Sequence, residues 1–139
     1  MVELKKTEVF RNILNTMISI SGRKTTKGDA ISTMDTMLKD LEERYSFLKH
    51  IQILDTRFSE SAEIVHVLSE INDVEPDDLG DAIQEIVTRM TQSLGKNAGY
   101  YYIKELQKRL GDEYNSFIKE MGVDLGLMQL ENETFKFRE

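Results

Sequence analysis

The segment from Glu75 to Gly111 limits the choice of fold more than any other. Leu79, Ala82, Ile83, Ile86, Val87, Met90 and Leu94 recur at intervals of three and four residues, so they share one face of a helix about four turns long. Such a face has to be covered, which commits the chain to a helix-packed core. Pro76, the only proline, suits the first helical position, where its missing N–H breaks no bond. Asp77, Asp78 and Asp81 follow where the helix dipole favours negative charge. Gly95 then stands where a left-handed cap would end the helix. A second helix is predicted from about Asn97, with Ala98, Tyr102, Leu106 and Leu110 on one stripe and Ile103 beside it. The two helices are expected to form a hairpin.

Tyr100, Tyr101 and Tyr102 are consecutive in that second helix, and successive helical residues point about 100° apart. They cannot all enter one core. Tyr102 belongs to the apolar stripe, which leaves Tyr100 and Tyr101 to meet a partner, a ligand or solvent, since tyrosine suits places where an apolar ring needs a wet hydroxyl. Asn97, Ala98 and Gly99 are small enough to let another backbone or a ligand approach the start of this helix.

Upstream, Phe10, Ile13, Leu14, Met17 and Ile18 predict a first helix over about Leu4–Ser21, ended by Gly22. After the polar connection GRKTTKG, Thr26 or Asp29 can cap a second helix. Its seam of Ile31, Met34, Leu38, Leu41, Tyr45 and Leu48 either packs within the chain or pairs with a second copy. HIQILD and EIVHVL alternate and are β-branched, so they read as a hairpin with Arg57 and Phe58 at its tip. A short helix, GDEYNSFIKEMG, follows Leu110, and VDLGLMQLENETFKF reads as a last strand pairing with the hairpin. The expectation is a single α+β domain over residues 1–139. A small antiparallel sheet, hairpin plus C-terminal strand, would be covered by about five helices in the order α-α-β-β-α-α-α-β.

Charge narrows the partners. Residues 1–28 carry six basic and two acidic side chains, whereas Asp55–Glu85 holds ten acidic residues against Arg57 alone, within a net charge of −7. That acidic field repels nucleic acid and suits a basic protein partner. The absence of cysteine removes disulfides, thiolate metal sites and cysteine nucleophiles. No apolar run reaches the length of a membrane span, and MVELKKTEVF lacks a signal-peptide core, so a cytoplasmic chain away from membranes is expected.

Motifs of defined chemistry are scarce. Gly22–Gly28 collects Arg23, Lys24 and Lys27 near a helix start, where anions can bind, but its glycine spacing is not that of a P-loop. A hairpin centred near Phe58 would set His50 opposite His66 on one sheet face, a weak metal pair without a third ligand. The acidic residues from Glu70 to Asp81 lack the glycine and terminal glutamate of a calcium loop. No nucleophile constellation, dinucleotide fingerprint or cofactor motif is present in the sequence. The chain therefore reads as a non-enzymatic regulatory or protein-interaction module, a homodimer contacting its partner through Tyr100, Tyr101 and Asn97. The alternative is a small-molecule sensor with a pocket between the tyrosine helix and the sheet, where Arg57 or Lys104 selects an anionic ligand.

Overall fold

Helix α1, Lys6–Lys24, is the hub of the molecule. The structure, a computed structural model, describes residues 5–54, 64–95 and 101–138, the stretch 132–138 by its backbone only. Val9, Phe10, Ile13, Leu14, Met17, Ile18, Ile20 and Ser21 of α1 are all buried, a face wider than the expected stripe. That width lets α1 touch helices α2 (Lys27–Leu41), α3 (Pro76–Ser93) and α4 (Tyr102–Glu120) and strand β2 (Val65–Val67). The fold is mostly helical, with α5 (Leu125–Arg138) closing the chain and β1 (Ile51–Ile53) completing a two-stranded antiparallel sheet. The α+β class and the general order of elements match the sequence pattern.

Local signals act where they were expected. Thr26 Oγ1 accepts the Asp29 N–H at 3.1 Å and starts α2, Pro76 opens α3, and Gly95 and Gly122 take positive φ after the helices that precede them. Helix α1 runs on through Gly22 to Lys24. The proposed seam is wholly internal. Ile31, Met34, Leu38, Leu41, Tyr45 and Leu48 are all buried in the one core, although α2 itself ends at Leu41 and the last two residues sit on a turn and the short 3-10 helix Ser46–His50. The Tyr45 hydroxyl donates to Asp81 Oδ2 at 2.6 Å, tying that turn to α3.

Helix α4 packs chiefly on α1 and α5 and more lightly on α3, so the expected hairpin of α3 and α4 is only part of its packing. It runs antiparallel to α1, with contacts at Asn12–Tyr114, Ser19–Arg109 and Arg23–Glu105. At Gly111 (φ 81°, ψ 172°) the helix breaks, so the short helix read from GDEYNSFIKEMG exists as its second limb.

Two expectations are corrected. The C-terminal stretch is helix α5, not a third strand. The alternation of Val123, Leu125 and Leu127 would bury all three in a strand, yet Leu127 is 53% exposed while Leu125, Met128 and Gln129 are buried at helical spacing. Asp124 Oδ1 accepts the Leu127 N–H at 3.0 Å, a cap that starts the helix. The second correction is register. Gln52 faces His66 and Leu68 N–H donates to His50 O, so the histidines are offset by two residues, not opposed. A shift of two keeps both on the same sheet face but moves them apart.

Candidate functional site

Helix α4 begins at Tyr102 with Tyr101 as its non-helical N-cap, later than the start near Asn97 expected from the sequence, so the tyrosines described are not consecutive helical residues. Tyr102 is fully buried, its hydroxyl donating to the Met17 carbonyl at 3.0 Å and accepting from Ser21 Oγ at 3.4 Å. Burial holds this phenol well above the ordinary tyrosine range, because the charged form would lose its water. Tyr101 is 57% exposed. Tyr100, Asn97 and Arg57 lie outside the described residues.

Helix α5 covers the start of α4. Gln129 Oε1 accepts the Lys104 N–H at 3.2 Å, supplying a cap that Tyr101 has no side-chain group placed to make. On the same helix Leu127 and Leu130, three residues apart, are 53% and 59% exposed. Together with Tyr101 they put large apolar groups on the outside of the α4–α5 unit.

Lys104 also lines a groove of about 640 Å³, walled by α4 and the head of α5 rather than by the sheet. Lys108, Gly111, Asn115 and Lys119 line it as well. The helix breaks at Gly111, and Asn115 Nδ2 donates to the Gln107 and Gly111 oxygens at 2.8 and 2.7 Å. Asn115 Oδ1 is buried without a hydrogen-bond partner. Apart from Lys104, no sequence motif pointed to this groove, because it depends on where α5 begins.

The other candidates lie apart from this groove. Arg23 forms an ion pair with Glu105 of α4, and Lys24 and Lys27 are exposed. His50 Nδ1 lies 3.9 Å from Glu70 Oε2 and His66 is exposed. Among the described residues no three histidine, aspartate or glutamate side chains come within reach of one metal ion. A second groove of about 330 Å³ runs between α2 and β1. It borders the strand edge at which Ile51 and Ile53 turn backbone groups away from β2. None of the described helices is long and apolar enough to cross a membrane. No protein-family model matches this chain, and neither a curated protein nor a solved structure is similar enough to count as its relative.

Proposed function

We propose that this chain is a cytoplasmic, non-enzymatic interaction module that works as a homodimer, docking through α5 and Tyr101. One observation carries the reading: Leu127 and Leu130 stand more than half exposed on a helix whose other side, Leu125, Met128 and Gln129, is buried. Exposed apolar groups at this density mark contact surfaces, and an exposed tyrosine such as Tyr101 serves their wet margins. The coiled-coil-like seam is not available for this purpose, since the chain buries it itself.

Sedimentation velocity tests the proposal. The wild type is expected to dimerise, and Leu127→Ser/Leu130→Ser is expected to weaken association by about a hundredfold, roughly 2.7 kcal/mol. Tyr101→Ala should weaken it less, with the far-UV circular dichroism unchanged. A wild type that stays monomeric across the accessible concentrations would overturn the reading.

A second reading is favoured by the groove at Lys104: a small-molecule sensor. Native mass spectrometry of the purified chain tests it through any non-covalent mass that the folded protein retains.

A further inference from the structure

Strand β1 uses only alternate residues to pair with β2. Gln52 lies across from His66, and on either side of that pair Leu68 N–H donates to His50 O at 2.9 Å and Leu54 N–H to Ile64 O at 2.7 Å. In an antiparallel pair the residues between bonded positions aim their N–H and C=O groups at the opposite edge. Here those residues are Ile51 and Ile53. The Ile51 N–H donates to the Leu48 carbonyl. The Ile51 C=O and both backbone groups of Ile53 have no partner among the described residues. An acceptor, a donor and a second acceptor in strand geometry match the backbone of another extended chain.

The space beside this edge suits such a chain. The groove of about 330 Å³ lies between β1 and α2, so a strand entering it meets backbone on one side and a helix on the other. The register of β1 and β2 has no bulge and β1 holds no proline, two devices that close strand edges in other folds. A two-stranded sheet also gains from a third strand, because two strands alone are marginal in water.

Charge states what kind of strand fits. Asp35 and Glu42 of α2 are balanced by Lys39 of α2 and Lys49 just before β1, and Lys39 Nζ lies 3.0 Å from Asp35 Oδ2. The walls therefore sum to zero in a chain of net charge −7. A strongly basic or acidic segment would bring charges that these walls leave unmatched, whereas an uncharged one brings none.

We propose that the β1 edge takes up an extended segment of another protein, without net charge, as a third strand of the sheet. Main-chain bonds to Ile51 and Ile53 supply affinity, and every second side chain of the added strand turns toward α2. The surface is built from different elements than the α5 contact, so its test does not depend on the homodimer.

The probe is the peptide acetyl-Ile-Val-His-Val-Leu-amide, which copies residues 64–68 and is essentially uncharged at about pH 7.5. In ¹⁵N–¹H spectra of the full chain, saturable shifts are expected at the amides of Ile51, Gln52 and Ile53. Hydrogen exchange at the Ile53 amide should slow by about tenfold at saturation. Two versions of the peptide, N-methylated at alternate amides in opposite phase, separate backbone pairing from apolar adhesion. The version that keeps the N–H groups facing β1 should bind, and the other should bind at least about tenfold more weakly, about 1.4 kcal/mol. Shifts that do not saturate, or equal binding of the two methylated versions, would overturn the added strand. Equal binding of a version flanked by glutamates would overturn the uncharged partner. Protection of the Ile53 amide that rises with protein concentration in the absence of peptide would assign the edge to a second copy of this chain and overturn the proposal.

Discussion

Gly80 lies in α3 where the helix meets the turn after α4, and a Cβ there would overlap the Met121 carbonyl oxygen. Helix propensity favours alanine over glycine by about 1 kcal/mol. Contact with a backbone atom opposes it more strongly, because a carbonyl cannot swing aside as a flexible side chain can. Gly80→Ala is expected to lower the free energy of unfolding by about 1–3 kcal/mol, measured by urea denaturation. Unchanged stability would mean that the turn at Met121 shifts freely. In the sequence Gly80 reads only as a weak point inside a helical pattern. Tyr102, on the predicted apolar stripe, is buried and Tyr101 is exposed, although Tyr101 is the helix's non-helical cap and not a helical residue.

At the scale of elements, the break in α4 is a device with two parts. Gly111 supplies a φ of 81° that other residues avoid, and Asn115 binds the carbonyls on either side of the break. Asn115→Ala is expected to destabilise the fold by about 1–2 kcal/mol. Asn115→Asp, which cannot donate, should resemble it in thermal melts. Wild-type melting of both variants would show that Gly111 holds the bend unaided. The glycine was legible as a boundary between two helices; the role of Asn115 was not, since a side chain that binds backbone four and eight residues earlier is recognisable only once the bend exists. Helix α5 escaped the sequence for a related reason. VDLGLMQL carries both a strand period and a helical one, and the Asp124 cap with docking on α4 decides between them.

For the molecule as a whole, burial of Tyr102 against α1 couples the core to alkaline pH. The phenol ionises in the unfolded chain near its ordinary value of 10.0, but its folded-state pKa is raised, first by desolvation. Above that value the folded state holds the extra proton, so this contribution to stability is complete at neutral pH and falls as pH rises past 10. The slope approaches about 1.4 kcal/mol per pH unit for one such group. Tyr45, raised by desolvation and by its bond to Asp81, acts in the same direction. Tyr102→Phe is expected to flatten the decline between pH 10 and 11.5, read from urea midpoints. An unchanged slope would mean that other groups govern alkaline unfolding.

By itself the sequence determined the periodic elements: the buried faces of α1, α2, α3 and the first limb of α4, the Thr26 and Pro76 starts, the hairpin and the helix break at Gly111. Each rests on interactions within a few residues, which spacing and propensity report directly. Tertiary structure decided that α1 is the hub, that β1 pairs only with β2 among the described residues while α5 covers α4, and that Lys104, Lys108 and Lys119 share one groove. Those outcomes depend on contacts between distant residues, where two packings can satisfy the same local pattern and only the close approach of whole elements distinguishes them.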